Sequence, residues 1–114
     1  MRIFLMAILF LLIACEKEKV PTVVVLGCQL PEVVSFQNDV QPIIVTNCIS
    51  CHDQTTMYPL DNYVHVSAFA ASGQLKGCLN GNSNYTQMPP YPNQLDTCSE
   101  NVIYKWIDAG YPNN

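Results

Sequence analysis

The stretch Cys48-Ile49-Ser50-Cys51-His52 decides how the rest of this 114-residue chain, long enough for one domain, is interpreted. Two cysteines separated by two residues fit on one tight, helix-like turn that brings both thiols to one side of the backbone. His52 follows directly and adds an imidazole, a frequent ligand of transition metals. The stretch therefore predicts a site that holds a metal, or a prosthetic group containing one, through two sulfurs and one nitrogen.

Three kinds of site use cysteines with this spacing. A zinc site needs a second Cys/His pair at suitable spacing, which neither the later cysteines nor the isolated His65 provide. A thioredoxin-like dithiol follows a strand in a βαβ pattern, whereas the residues before Cys48 have a helical pattern. The adjacent His52 favours one covalently attached haem c: Cys48 and Cys51 add to its two vinyl groups, and His52 is the proximal iron ligand.

Two further stretches, Met88-Pro89 and Trp106-Ile107-Asp108-Ala109-Gly110, accompany this motif. Together the three stretches resemble the bacterial lipoprotein c-type cytochromes, and the resemblance covers residues 33–114. It implies a mostly α, cytochrome c-like fold in which three to four helices and long loops surround one haem. It also implies a carrier of single electrons at the bacterial cell envelope, not an enzyme. The alternatives are a haem enzyme or gas sensor with an open sixth coordination site, or a structural module without haem.

Met88 is the predicted distal ligand. A methionine thioether is the usual sixth ligand in electron-transfer cytochromes c, and Met88 lies 36 residues after His52 at the start of a proline-rich strap. The plainer interpretation is that Met88 fills the core. Met57 is too close to His52 to reach the opposite face of the ring. His65 could in principle be a second iron ligand, but a lone histidine on an amphipathic helix is more often exposed or hydrogen-bonded within the structure.

The apolar pattern predicts three helices. The first runs into Asn47-Cys48, and Pro42 requires that its regular part begin near Asn38-Asp39 or that an earlier turn be kinked. The second spans residues 60–72, and residues 77–91 form a loop. The last helix carries a structural Trp106 and begins with a capping box in which Thr97 is the N-cap and Glu100 reaches back.

Pro59 and Gly110 mark two turns. Gly110 is the predicted left-handed stop of the last helix, and Pro112 prevents its continuation. In many c-type domains a proline carbonyl accepts the N–H of the proximal histidine. Pro59 is near enough for this role, but a plain turn proline is the favoured interpretation.

The N-terminus resembles a lipoprotein leader. Residues 3–12 are apolar and too short to span a bilayer, and Leu12-Ile13-Ala14-Cys15 resembles a lipobox. The resemblance implies a signal peptide over residues 1–14, lipidation of Cys15, a lipid-anchored tether over residues 15–32 and the domain from residue 33. Within the tether, residues 23–26 are expected to be extended, since an isolated strand is unstable. The expected location is the cell envelope, on a bacterial membrane, periplasmic or surface-exposed. An ordinary signal peptide or an uncleaved anchor is the alternative.

Three cysteines remain once one is assigned to the lipid and two to the haem. Three disulfide pairings are therefore possible, and each leaves one thiol unpaired. The resemblance favours a Cys28–Cys98 disulfide, with Cys78–Cys98 as the alternative. From residue 31 onward, two lysines stand against seven carboxylates, a net charge of −5. This acidity excludes nucleic acid as a partner and predicts redox partner proteins with a basic or neutral docking site.

Overall fold

The structure, a computed structural model, describes residues 24–25 and 27–114, and the mostly α-helical prediction is confirmed for them. The predicted signal peptide, Cys15 and most of the tether lie outside the described residues. Within residues 24–25 and 27–114, no helix is long and apolar enough to cross a membrane. The elements are β1 Val24–Val25, β2 Cys28–Gln29, a π-helical turn Phe36–Val40, α1 Gln41–Asn47, α2 Tyr63–Ala71, α3 Gln74–Leu79 and α4 Thr97–Asp108.

The expectation of an unpaired extended segment before the domain is wrong. Strands β1 and β2 pair antiparallel, with Val25 opposite Cys28. The chain reverses direction between them, and Gly27 adopts a φ of 84°, which is accessible to glycine without steric cost. The short ladder therefore satisfies backbone groups that an isolated strand would leave to solvent.

Pro42 determines how the first helix is built. The chain starts with the π-helical turn, where the Ser35 side chain accepts from the Asn38 backbone N–H, and α1 begins only at Gln41. Pro42 thus lies in the first turn of α1, where its missing N–H has no partner to lose. Of the two arrangements that the sequence allows, the structure has the irregular earlier turn.

Helix α2 is present but begins at Tyr63, three residues later than predicted, because Asn62 caps it by accepting from the His65 backbone N–H. The prediction of a continuous loop over residues 77–91 is wrong at its start, because α3 extends to Leu79. This six-residue helix contains Gly77 and has little intrinsic stability. Burial of Leu75 and Leu79 in the core stabilises it instead.

The predicted N-cap of the last helix is also wrong by one residue. Asp96 is the N-cap, and its carboxylate accepts from the backbone N–H groups of Cys98 and Ser99. Thr97 is the first helical residue. At the other end, Gly110 has a φ of 85° as expected, and the Tyr111 N–H donates to the Trp106 carbonyl at 2.9 Å, which closes the helix.

Trp106 is the centre of the core. Its side chain is fully buried, its ring centroid lies 5.5 Å from that of Phe36, and its indole N–H donates to the Pro112 carbonyl at 2.9 Å. This contact packs α4 against the π-helical turn, as the structural interpretation of Trp106 predicts. The buried residues around it include Val40, Ile44, Val66 and Ile103.

Two contacts join the segment before the domain to α4. Cys28 and Cys98 form a disulfide, with their Cα atoms 5.5 Å apart, so Cys78 remains a free thiol. Lys105 Nζ donates to the Pro31 carbonyl at 2.6 Å. These contacts hold the chain preceding the π-helical turn along the last helix.

Because Asp96 is the N-cap of α4, substitution of Asp96 rather than Thr97 should destabilise the protein. Asp96→Ala should lower the free energy of unfolding by about 1 kcal/mol, because two backbone N–H groups lose their acceptor. Thr97→Ala, the matched control, should change it by less than about 0.5 kcal/mol. Chemical unfolding followed by circular dichroism measures both, and a larger effect at Thr97 would restore the capping box.

The same cap should be pH-dependent. The Ser99 hydroxyl and the backbone N–H groups lower the pKa of Asp96 below its ordinary value. The stabilisation is therefore complete above the pKa of the unfolded chain and is lost as the pH falls through the folded one. The difference between wild type and Asp96→Ala should shrink in acid.

Candidate functional site

A cavity of about 480 Å³ lies beside the core. Its volume falls within the range of roughly 300–1,000 Å³ typical of small-molecule and cofactor sites. Leu60 and Phe69 form part of its apolar wall, and Leu75 and Leu79 of α3 form another part. Three of these four leucine and phenylalanine side chains are also buried in the core, so the cavity and the core share walls.

All four predicted haem-binding residues line this one cavity: Cys48, Cys51, His52 and Met88. The first three are adjacent in sequence, whereas Met88 lies 36 residues further along the chain. The fold therefore brings together the residues that the motif and the resemblance single out.

The turn after α1 positions the two thiols. The backbone N–H groups of Cys51 and His52 both donate to the Cys48 carbonyl, at 3.1 and 2.9 Å, which continues the helical turn through the motif. Cys48 is partly buried and Cys51 is exposed. Burial raises the pKa of the Cys48 thiol to about 11. This disfavours the free thiolate, which is the form that acts in redox-active dithiols.

The His52 ring is oriented by a backbone carbonyl. Its Nδ1 lies 2.8 Å from the Tyr58 carbonyl oxygen. A carbonyl can only accept, so Nδ1 carries the proton and Nε2 keeps the lone pair that a metal requires. The acceptor is the carbonyl of Tyr58, the residue before Pro59, so the Pro59 carbonyl does not take the role that a proline carbonyl has in many c-type domains. The Leu60 N–H donates to the His52 carbonyl at 2.8 Å and closes the intervening loop.

Met88 enters the cavity from the segment after α3. It is partly buried, and its backbone N–H donates to the Cys78 carbonyl at 2.9 Å. This hydrogen bond joins the proline-rich strap to α3 at Met88 itself, the residue whose side chain lines the cavity. A thioether placed here can serve as a soft, uncharged metal ligand.

His65 and Met57 are not among the residues that line the cavity. His65 Nδ1 lies 2.6 Å from Asp61 Oδ1 at the exposed start of α2, and the hydrogen bond from the ring lowers the pKa of Asp61. The Met57 side chain is 83% exposed. His65 is thus hydrogen-bonded at the surface, as expected for a lone histidine on this helix, and Met57 lies outside the cavity.

Cys78 and Tyr85 also line the cavity, although the sequence pattern predicts neither as a site residue. Cys78 is a free thiol rather than a disulfide partner, and burial raises its pKa. Helix α3 explains its position, because Gln74, Leu75 and Cys78 fall on one face at helical spacing.

The residues present fit a covalently held haem. Two thiols on one turn, an imidazole and a thioether line one apolar cavity, and this is the set of side chains that a c-type haem uses. Among the described residues, no group of three or more His, Cys, Asp and Glu side chains is placed to hold a metal ion. Comparisons with models of protein families, with curated proteins and with solved structures find no match.

Proposed function

We propose that this protein is a monohaem c-type cytochrome, lipid-anchored through Cys15, that carries single electrons at the bacterial cell envelope. The observation that carries the proposal is the convergence of Cys48, Cys51, His52 and Met88 on one apolar cavity. The motif alone fixes only the first three. Because Met88 lines the same cavity, it can supply the second axial ligand, a thioether sulfur, that an electron carrier uses.

Each residue has a defined task in this proposal. The thiols of Cys48 and Cys51 form thioethers, and His52 offers Nε2 while the Tyr58 carbonyl holds its ring in place. Met88 offers a soft, neutral sulfur that favours the reduced metal and raises its potential. Haem, when bound, supplies an iron that gains and loses one electron. Leu60, Leu75 and Leu79 give the site an apolar wall against which the ring can pack.

Two features favour a carrier over an enzyme. Of the described residues that line the cavity, none is Asp, Glu, Lys or Arg, so no carboxylate or cation is at hand for acid–base chemistry there. Met88 also lines the cavity, and we propose that it fills the sixth position that a peroxidase or gas sensor leaves open. The alternative function as a gas sensor therefore requires that Met88 does not bind the iron.

The charge of the described surface indicates the kind of redox partner. Lys76 pairs with Asp108, with Nζ and Oδ1 3.1 Å apart, and Lys105 donates to the Pro31 carbonyl. Both lysines beyond residue 31 are thus engaged within the chain, while the excess of carboxylates remains. A partner with a basic or neutral docking surface is therefore favoured.

The haem link can be tested by removing both attachment thiols. Cys48→Ala with Cys51→Ala should abolish the haem that survives denaturing electrophoresis, because no thioether can form. A pyridine haemochrome assay on protein from a host that matures cytochromes c measures the same loss. Cys78→Ala is the matched control and should keep covalent haem. Covalent haem in the double variant would refute the proposal.

The axial ligand can be tested at Met88. Met88→Ala should remove the weak far-red sulfur-to-iron absorption band, lower the potential and allow rapid carbon monoxide binding, because the sixth position opens. Met57→Ala, an exposed methionine, and His65→Ala should change none of these. High-spin iron in the wild type would instead favour the sensor or enzyme.

The anchor can be tested at Cys15. Cys15→Ser removes the sulfur that would carry the lipid, so the protein should leave the membrane fraction or accumulate with its leader uncut. Fractionation followed by mass spectrometry of the N-terminus measures both outcomes. Unchanged membrane association and an unlipidated wild-type Cys15 would contradict the lipoprotein assignment.

A further inference from the structure

Helix α3 anchors the segment that carries Met88. Its last carbonyl groups have no partners within the helix, and the chain that follows supplies donors to three of them in succession. The Asn82 N–H donates to the Gly77 carbonyl at 3.1 Å, and the Met88 N–H donates to the Cys78 carbonyl at 2.9 Å. The Gln87 side-chain amide reaches the Leu79 carbonyl at 3.4 Å. The segment 82–88 is thus fastened to α3 at both ends.

Between these ends, the Tyr85 ring packs on α3 at Gly77. Gly77 is buried, and a Cβ built there would overlap the Tyr85 ring. Its φ is not positive, so the backbone does not require glycine, and helix propensity would favour alanine. The absence of a side chain therefore serves to let the Tyr85 ring lie directly on the helix. That same ring forms part of the cavity wall.

We infer that Gly77 and Tyr85 are positioning residues that deliver Met88 to the cavity. The inference rests on the proposed role of Met88 as iron ligand and deepens it. Tyr85 seats the middle of segment 82–88 on α3, three residues before the Met88–Cys78 hydrogen bond. If the ring is pushed away from the helix, the strap must move outward, and that hydrogen bond and the Met88 side chain move with it. Gly77 never needs to touch the haem for this effect.

The test is Gly77→Ala in the full chain from a host that matures cytochromes c. The Met88 amide should exchange with solvent about tenfold faster or more, because the added methyl overpacks the Tyr85 contact. The far-red sulfur-to-iron band should weaken, and carbon monoxide should bind faster. Val64→Ala, at a 67% exposed position of α2 outside the cavity, should leave all three readouts unchanged.

A double-mutant cycle separates positioning from general damage to α3. In a Tyr85→Ala background the space above Gly77 is open, so adding Gly77→Ala should cause no further acceleration of Met88 exchange. Tyr85→Phe keeps the ring and should match the wild type. If Gly77→Ala does not accumulate, Tyr85→Ala compared with Tyr85→Phe provides the same readouts.

The two proposals fail in different ways. An unchanged Met88 exchange rate and far-red band in Gly77→Ala, or an equal effect of this substitution with and without the Tyr85 ring, would overturn the positioning role alone. A wild type that lacks the far-red band would overturn Met88 ligation, and the positioning of a ligand with it. Faster Met88 exchange together with a weakened band, both dependent on the ring of Tyr85, is the result that supports the inference.

Discussion

The packing of Trp106 against Phe36 is the contact on which the rest of the structure depends. It holds α4 against the π-helical turn and buries Val40, Ile44 and Ile103 in the same core. Because α1 continues directly from the π-helical turn, this core fixes the direction in which α1 enters the Cys48 turn. The main chain of the C-terminal Asn114 accepts from the Gln37 N–H at 3.0 Å and strengthens the same junction. The core around Trp106 therefore determines where the Cys48 turn meets the cavity.

The cavity and the core are one apolar system. Leu60, Leu75 and Leu79 are each buried and also line the cavity. In a domain of this size the core is only marginally sufficient for stability. Helix α3 is stabilised by the burial of two of these leucines, Leu75 and Leu79. A planar apolar group held between them would extend the core, so binding and folding would share the same contacts. On this view the short helices need not be stable alone.

The sequence predicts those features that depend on local chemistry. The Cys48 turn follows from residue spacing, and the apolar stripe of α4 marks that helix clearly. The exact N-cap does not follow, because Asp96 and Thr97 can both cap a helix, and only the backbone geometry gives the role to Asp96. Helix α3 could not be predicted, since tertiary burial overrides the low helix propensity of Gly77. For the same reason, the sequence pattern does not predict that Cys78 lines the cavity.

The two cysteines of the motif differ in exposure, and this difference bears on how a carrier would work. Cys48 is partly buried and Cys51 is exposed, so one side of this turn faces solvent. On the loop that follows, Asp53 is exposed and Tyr58, which orients His52 through its carbonyl, is 52% exposed. Under the proposed function, a partner would approach the cavity from this side. The acidic residues, Asp53 among them, would then affect the rate of encounter, through long-range attraction, more than the strength of the contact itself.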